Sequence, residues 1–412
     1  MFHPDLGTVQ IASWCRGIHT HMSTADPGPE APALSPARPD KTRKRRSEKS
    51  ERTAPDDKSE TGESSAEPLL IGGRTMHCYN EGEFAAIRSA FGVPPDFLAK
   101  FDFGGMSEGG GKGGQLMGFT ADRACIVKEL DATDHSVLLG LAGKYRLHII
   151  GDDPSQPSQS LLCRFFAHFQ DPETHRNYAA MNNWLPPDAL AALELSEGEE
   201  KAVRSELASA FESYDLKGSA DDKTLTLDGR RVQEVHKRIW NVCLWGGKCF
   251  WSPERIEYWN GKQHASTVKF RVTAQQKQWV MRAVRYDCEW LAARGLMDYS
   301  LILGVKRLPA SRTAIALALQ RTTDRHTQPL ACAADGEVQL LYLGFIDWLQ
   351  NWTCAKTVAR CIKTLERNKS TEPPGYYAER CISYLEAKFV PTACDPGVDA
   401  AEAQDDTGSA EQ

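Results

Sequence analysis

The stretch that decides the fold is Gly295–Val305, which reads GLMDYSLILGV. It places one carboxylate, Asp298, on a turn between a helical run and a strongly apolar strand. A second apolar run, LLYLGFID at 340–347, ends in another carboxylate, Asp347. One acid to orient a hydroxyl and one to hold a metal ion is what phosphoryl transfer requires. Because an Asp at a strand end is often only a turn former or a cap, the spacing alone leaves both interpretations open.

Length and composition bound the class of protein. With 412 residues and 41% hydrophobic content, the chain can bury one large core or two lobes. The net charge of −6 argues neither for nucleic acid nor for a membrane, so an anionic partner needs a local basic patch. Twelve cysteines without a CxxC pair argue against a zinc site and suit a reducing compartment. No signal peptide or transmembrane stretch is apparent, which favours a cytosolic protein.

The two ends of the chain differ in composition from its middle. Residues 23–75 are rich in Pro, Ser, Glu and Lys and contain few large apolar side chains, and the extension 1–76 is predicted to be disordered. Its basic run, KTRKRRSEK at 41–49, is open to three interpretations: a solvated charge run, a nuclear address or a contact to anionic lipid. The acidic stretch 393–412 is also predicted to be disordered.

A glycine-rich loop precedes two predicted strands, QLMGFT and ACIVK, which are joined by a turn at 121–123. The loop contains Gly109, Gly110, Gly111, Gly113 and Gly114. Glycines leave backbone amides free to approach a phosphate, although Lys112 is followed by Gly and not by Ser or Thr, so the loop is not a Walker motif. Strand alternation puts Ile126 and Lys128 on one face. By itself, Lys128 could also be an exposed lysine at a strand end.

Further along, SLLCRFFAHFQ and YAAMNNWLP are predicted to be strands, and 185–210 is acidic and prone to form a helix. In FESYDLKGS, the i, i+2 spacing puts Asp215 and Lys217 on one side, where they could act together or form a structural ion pair. The run at 274–295 predicts a helix, with Asp287 inside its apolar stripe. We interpret Asp287 as a buried acid that anchors the following turn. The stretch 306–336 is predicted to be a loop.

Four tryptophans lie between the DLKGS segment and that helix, Trp240, Trp245, Trp251 and Trp259, and Trp279 follows soon after within the helix. Tryptophan interleaved with lysine and arginine can lie at a membrane interface. The same segment could instead pack on the body of the protein, and the sequence favours this second interpretation.

Six motifs occur in a fixed order along the chain: IVK at 126–128, MNN at 181–183, DLKGS at 215–219, MDYSL at 297–301, ID at 346–347 and PPGYYAER at 373–380. Together they resemble the signature of the phosphatidylinositol phosphate kinases, over roughly residues 77–392. The resemblance implies an α+β fold of two lobes, built from antiparallel sheets with helices and distantly similar to protein kinases. It implies an ATP-binding lobe at 77–183 and a catalytic lobe at 184–392, with an activation loop near 366–389.

The resemblance also implies roles for individual residues. For ATP it implies the glycine loop (Gly109, Gly110, Gly111, Gly113), Lys128 on the phosphates, Ile126 in the adenine pocket, and a hinge at Met181, Asn182 and Asn183. For catalysis it implies Asp347 as the ligand of Mg²⁺, Asp298 as the acid that orients the acceptor hydroxyl, and Asp215 with Lys217 at the transferring phosphate. For substrate choice it implies Tyr377, Glu379 and Arg380.

The implied reaction transfers the γ-phosphate of ATP to the 5-hydroxyl of phosphatidylinositol 4-phosphate. Glu379 marks the preference for this lipid over the 5-phosphate, unless it is merely an exposed helix residue. The implied protein is cytoplasmic and peripheral at the membrane, with no nucleic-acid partner, and a homodimer and a nuclear pool are left open.

The chain departs from the family pattern at two places. The helix after Lys128 has no glutamate to pair with that lysine, which leaves Asp131, Asp134 and Glu129 as candidates. The stretch after DLKGS lacks the usual cations. Two alternative functions therefore stay open, a catalytically weak scaffold of the same fold and a soluble inositol phosphate kinase.

Overall fold

The computed structural model describes residues 69–108, 114–151, 159–185, 190–235, 248–322, 329–353 and 371–392. Within these ranges the chain forms seven α-helices: α1 Glu81–Ala90, α2 Ala132–Ile150, α3 Glu197–Ser209, α4 Pro253–Thr267, α5 Ala274–Ala292, α6 Thr313–Thr322 and α7 Pro374–Lys388. The sixteen strands are β1 Leu70–Ile71, β2 Arg74–Thr75, β3 His77–Cys78, β4 Ser107–Glu108, β5 Leu116–Phe119, β6 Cys125–Leu130, β7 Phe165–Gln170, β8 Asn177–Asn182, β9 Glu212–Leu216, β10 Lys223–Leu227, β11 Arg230–Arg231, β12 Phe270–Val272, β13 Ser300–Pro309, β14 Leu330–Ala334, β15 Glu337–Ile346 and β16 Phe389–Pro391. No helix in these ranges combines the length and the hydropathy needed to cross a bilayer.

The first six-stranded sheet has the order β3-β7-β8-β6-β5-β4, and its neighbouring strands are antiparallel. The predicted turn between β5 and β6 is present, because Asp122 accepts hydrogen bonds from the Thr120 hydroxyl at 2.6 Å and from the Ala124 N–H at 3.0 Å. The register then places Lys128 between Met117 and Ala179, inside the sheet. Helix α1 packs on this sheet through its buried face, as its helical periodicity predicts.

The second six-stranded sheet has the order β11-β10-β9-β13-β15-β14 and is also antiparallel. Strands β13 and β15 pair over ten positions, and the first pair joins Ser300 to Ile346. On its other side β13 pairs with β9, which sets Leu301 opposite Leu216. Because the three strands share this register, the residues just outside Ser300, Ile346 and Leu216 lie at one edge of the sheet.

Helix α5 anchors the second sheet. Its start is closed by a capping box, in which Thr273 and Gln276 each bond the other's backbone. The predicted apolar stripe is confirmed, and Asp287 lies within it with none of its surface exposed.

The prediction that Asp287 anchors the turn after α5 is wrong. Its carboxylate accepts from Ser160 Oγ at 2.8 Å and the Leu161 N–H at 2.6 Å, and it lies 2.7 Å from His148 Nε2. It therefore ties α5 to the end of α2 and to the segment before β7, and not to the turn at 296–299. A fully buried carboxylate requires this many partners to offset its desolvation.

The loop predicted for 306–336 is also wrong over its described part. Strand β13 continues to Pro309, helix α6 covers Thr313–Thr322, and β14 begins at Leu330. The α6 sequence TAIALALQRT contains Ala, Leu and Gln, which favour a helix, and it packs on β14 and β15. Tertiary packing thus orders a stretch whose short apolar runs give a weak periodic signal. The boundaries predicted for the two lobes stay a prediction. Residues 1–68 and 393–412 lie outside the described residues. The disorder predicted for 1–76 is wrong over 69–76, where β1 and β2 pair and Ile71 is fully buried.

Candidate active site

Asp298 and Asp347 occupy two turns at the same edge of the second sheet. Asp298 comes two residues before β13, Asp347 directly follows β15, and the pairing of those strands brings the turns together. Both residues have left-handed backbones, with φ of 67° and 55°. Asp adopts this conformation more readily than most residues, so the turns suit the residue type.

Lys217 is bound to the Asp298 turn at two points. Its Nζ donates to Asp298 Oδ1 at 2.7 Å and to the Asp298 backbone oxygen at 2.7 Å. Lys217 directly follows β9 and Asp298 comes two residues before β13, and these two strands are neighbours in the second sheet. Burial alone would lower the pKa of Lys217, but Asp298 and then Asp215 raise it above its usual value. The lysine therefore stays charged, and its two contacts hold the Asp298 turn in place.

Lys128 makes an ion pair between the two sheets. Its Nζ lies 2.7 Å from Asp347 Oδ1, and the two side chains are 23% and 50% exposed. Burial raises the pKa of Asp347, yet Lys128, with smaller effects from Lys217 and Lys223, brings it below its usual value. The structure therefore brings the predicted phosphate-binding lysine to the predicted metal ligand.

The three acids that are candidate partners of Lys128 have different environments. Asp131 caps α2 by accepting the N–H groups of Thr133 and Asp134 at 2.8 Å each, so it is occupied. Glu129 accepts the Leu116 N–H at 3.1 Å. Asp134 alone of the three is buried, and Gln350 Nε2 donates to it at 2.8 Å.

The electrostatics of Asp134 identify it as the acid that faces Lys128. Burial raises its pKa to about 6, against an opposing effect from Lys128. Asp134 in turn raises the pKa of Lys128. Lys128 thus interacts with two acids, Asp134 and Asp347, and it bonds Asp347.

Asp215 lies beside these pairs on β9 and is only 7% exposed. Its Oδ2 is 3.5 Å from Lys223 Nζ, which also lies 2.6 Å from Glu234 Oε1. Its Oδ1 finds no hydrogen-bond partner within the described part of the chain. A buried carboxylate oxygen without a partner is costly, so its persistence at this edge indicates a functional position.

Asp222 is a site residue that the motif search missed. Its carboxylate accepts three successive backbone N–H groups, from Lys217 at 2.6 Å, Gly218 at 2.9 Å and Ser219 at 3.4 Å. It closes the turn after DLKG, where Gly218 has φ of 67° and its α-carbon faces Tyr384. The only sequence signal was an acid a few residues beyond a glycine turn.

The predicted adenine-binding residues lie in the first sheet near the boundary between the sheets. Ile126 and Met181 are directly paired and both buried. The Asn182 side chain accepts the Arg164 N–H at 2.7 Å, and Asn183 Nδ2 donates to the Arg123 carbonyl at 2.8 Å. Both amide side chains are thus engaged with protein backbone. The loop glycines Gly109, Gly110, Gly111 and Gly113 lie outside the described residues.

The predicted substrate loop is a helix over its described part. Residues 374–388 form α7, which packs on α5, and the earlier part of the expected loop lies outside the described residues. Tyr377 is fully buried, and its hydroxyl donates to the backbone oxygen of Tyr299. A contact between Tyr377 and substrate is therefore not supported, because the residue instead holds the turn that carries Asp298. Glu379 is exposed, and the Arg380 guanidinium lies 5.2 Å from the Tyr377 ring.

Comparison with known proteins agrees with this arrangement. The family model described as Phosphatidylinositol-4-phosphate 5-Kinase matches residues 106–329 and 318–388, which contain each lysine and acid of the site. A probable phosphatidylinositol phosphate kinase of Dictyostelium discoideum is 24% identical over 55% of this chain and 26% of its own length. Phosphatidylinositol 5-phosphate 4-kinase type-2 gamma of Danio rerio is 23% identical over 54% and 44%.

Phosphatidylinositol 4-phosphate 5-kinase type-1 beta of Mus musculus is 22% identical over 74% of this chain and 56% of its own length. The chain thus spans between about a quarter and just over half of the length of these relatives.

Proposed function

The chain belongs to the phosphatidylinositol phosphate kinase family, and we propose that it transfers the γ-phosphate of ATP to the 5-hydroxyl of phosphatidylinositol 4-phosphate. The product is phosphatidylinositol 4,5-bisphosphate. The observation that carries this proposal is the pair of lysine–aspartate contacts at one sheet edge, Lys217–Asp298 and Lys128–Asp347. They supply a fixed acid for the acceptor and a cation with a second acid for the nucleotide, which are the parts phosphoryl transfer needs.

Asp298 orients the acceptor hydroxyl and takes its proton as the new P–O bond forms. Lys217, which already bonds the Asp298 carboxylate, fixes the position of that acid and lies where charge develops on the transferring phosphoryl group. Asp215 offers its Oδ1 to the acceptor side of the site. Catalysis is then positioning and charge neutralisation, with no covalent intermediate on the protein.

Asp347 fits a ligand of Mg²⁺. It is a carboxylate with a half-exposed side chain and a pKa below its usual value, so it is ionised at neutral pH. Among the described residues no three acids, histidines or cysteines converge into a preformed metal cage. Mg²⁺ commonly takes one or two carboxylates, and water and substrate phosphate complete its shell. When bound, the ion neutralises phosphate charge.

Lys128 must leave Asp347 to reach the nucleotide phosphates. Asp134 also interacts with Lys128, so the ammonium keeps an anionic neighbour when it moves. Asp134 therefore takes the part of the glutamate that the sequence lacks, which weakens the argument for a catalytically weak scaffold.

The choice of the 4-phosphate lipid rests on Glu379. The relatives include both a 4-phosphate 5-kinase and a 5-phosphate 4-kinase, so the likeness alone does not select one. Glu379 is exposed on α7, on the opposite side of the helix from the buried Tyr377 that bonds the Asp298 turn, where it is accessible to a lipid headgroup from solvent. We place the protein in the cytoplasm at a membrane surface. A nuclear pool through 41–49 and a homodimer belong to the same proposal.

Transfer of labelled phosphate from ATP tests the proposal on three acceptors: vesicles with phosphatidylinositol 4-phosphate, vesicles with the 5-phosphate, and the free inositol phosphate headgroup. We expect labelling of the first, lost in Lys128→Met. Labelling of the 5-phosphate vesicles instead would overturn the choice of lipid, and equal use of the free headgroup would favour a soluble kinase. No labelling of any acceptor would favour the scaffold.

A further inference from the structure

An aromatic surface at the start of α4 is not used by the proposed reaction. We call it the Phe250 surface, and it consists of Lys248, Phe250, Trp251, Ile256 and Trp259. Phe250 leaves 69% of its area in solvent, the largest exposure among the large apolar side chains of the described residues. Ile256 is 41% exposed, and the two tryptophans are half-buried. Exposed apolar groups that cluster in this way commonly mark a contact surface.

The surface is held rigidly. Lys248 Nζ lies 3.3 Å from the centre of the Trp259 ring, and the rings of Trp251 and Trp259 meet edge to face at 6.3 Å. The Arg255 guanidinium lies 4.8 Å from the Trp251 ring and donates to the Val235 carbonyl at 2.7 Å. Phe250 therefore projects from a packed platform and loses little freedom when it is covered.

The same contacts lead to the candidate active site. Val235 follows Glu234, whose Oε1 bonds Lys223 Nζ at 2.6 Å, and Lys223 lies 3.5 Å from Asp215. The Phe250 surface is thus connected through a short chain of contacts to the acid on the acceptor side.

The chemistry of the surface fits a bilayer. Phenylalanine and tryptophan with a lysine among them are typical of a membrane interface, where rings enter the acyl boundary and ammonium groups meet phosphates. Exposed Arg230 and Arg231 add positive charge on the edge strand β11. Exposed Glu254 and Glu257 on α4 offset part of it, so burial of apolar area is the main contribution. Few residues protrude, which suits insertion better than a protein interface of about 800 Å² per partner.

We propose that the Phe250 surface inserts into the interfacial region of a lipid bilayer and holds the acceptor side of the site against the membrane. This inference rests on the proposed function, because a lipid acceptor is what requires the site to lie at a bilayer. It also answers the question that the tryptophan content left open for the described part of that segment. Trp240 and Trp245 lie outside the described residues and are not part of the inference.

Sedimentation of the full chain with vesicles of phosphatidylcholine and phosphatidylserine tests the inference without any phosphoinositide. We expect Phe250→Ser to weaken vesicle binding by about tenfold, and Phe250→Trp to keep it, because either ring can enter the interface. Leu147→Ser is the control, since Leu147 is 49% exposed on α2 and lies outside the surface. Binding of Phe250→Ser equal to that of the unmodified chain would overturn the inference.

Two further measurements separate this inference from the proposed function. Phosphate transfer to a short-chain, water-soluble phosphatidylinositol 4-phosphate should be unchanged in Phe250→Ser, while transfer to bilayer lipid falls. If the unmodified chain phosphorylates neither form, the proposed function fails while the vesicle result stands. If Phe250→Ser instead dissociates a dimer in analytical ultracentrifugation and leaves vesicle binding unchanged, the surface belongs to a second copy and the inference is wrong.

Discussion

Two lysine–aspartate pairs meet at one edge of the second sheet, and they differ in what they join. Lys217–Asp298 joins the ends of two neighbouring strands of the second sheet and has two contacts, to the carboxylate and to the backbone oxygen. Lys128–Asp347 joins the two sheets through a single contact, and its aspartate is half exposed. An exposed single ion pair contributes little free energy, whereas a doubly bonded and more buried pair resists opening. The first pair therefore preorganises an acid, and the second can open to admit nucleotide.

The largest expected effect comes from replacing Asp298, the acid of the Lys217–Asp298 pair. Asp298→Asn should lower kcat by about 10³-fold, because the acceptor hydroxyl loses its base. The melting temperature should change little, since Asn also adopts the left-handed backbone. Steady-state kinetics and a thermal melt measure both.

Asp335→Asn is the matched control, because Asp335 has φ of 55° in the turn at the other end of β15 and lies far along the strand from the site. Near-full activity in Asp298→Asn would remove that residue from the mechanism.

Replacing the lysine of the Lys217–Asp298 pair should lower kcat less than replacing its aspartate. Lys217→Met is expected to lower kcat by about 10²-fold, because one preorganised donor to the developing charge is lost. The KM for ATP should hardly change, since Lys217 faces the acceptor acid and not the nucleotide lysine. Lys144→Met, at an exposed lysine on α2, controls for the loss of a positive charge. An increase in the KM for ATP with kcat unchanged would assign Lys217 to the nucleotide instead.

The role of the Lys128–Asp347 pair is tested by replacing Asp134, the second acid that interacts with Lys128. Burial raises the pKa of Asp134 from its usual 3.8 to about 6, so between these pH values the native state binds more protons than the unfolded state. The free energy of unfolding therefore falls as the pH rises from about 4 to about 6, and the penalty is complete at pH 7.

Asp134→Asn should abolish that slope and raise the free energy of unfolding at pH 7 by roughly 1 to 3 kcal/mol, while it slows catalysis. The amide oxygen can still accept from Gln350. Denaturant unfolding at several pH values, with Asp96→Asn at an exposed acid as the control, measures the change. A variant that loses stability at pH 7 would show that Asp134 is stabilised in its charged form.

The smallest effect concerns a residue outside both pairs. Glu379→Ala should reduce the preference for the 4-phosphate lipid over the 5-phosphate by about tenfold, or 1.4 kcal/mol, and leave kcat on the better substrate nearly unchanged. Glu386→Ala on the same helix is the control, because Glu386 pairs with Arg285 at 3.2 Å instead of facing the site. An equal loss of activity on both lipids would assign Glu379 a general role.

The sequence predicted the acids of the site better than their partners. Asp215, Asp298 and Asp347 lie within short motifs, and those motifs were enough to locate them. That Lys128 bonds Asp347 depends on contact between residues 219 positions apart, which no local pattern encodes.

The features that the sequence did not predict also depend on contacts between residues that are distant in the sequence. Tyr377 was assigned to a substrate loop, but its burial depends on how α7 packs against α5. Asp222 organises the DLKG turn, but an acid near a glycine is common in turns, so its sequence position is not distinctive. Strand and helix types followed from periodicity, whereas α6 was missed because its short apolar run depends on packing for its stability.

Binding of Mg²⁺ and ATP to Lys128→Met and Lys217→Met, measured in parallel by thermal unfolding, tests the contrast between the two pairs most directly. At a hundredfold excess over its dissociation constant, a ligand of the native state adds about 2.7 kcal/mol to the free energy of unfolding. We predict this gain for the unmodified chain and for Lys217→Met, and its loss in Lys128→Met. An equal loss in both variants, or a full gain in Lys128→Met, would contradict the assignment of one pair to the nucleotide and the other to the acceptor.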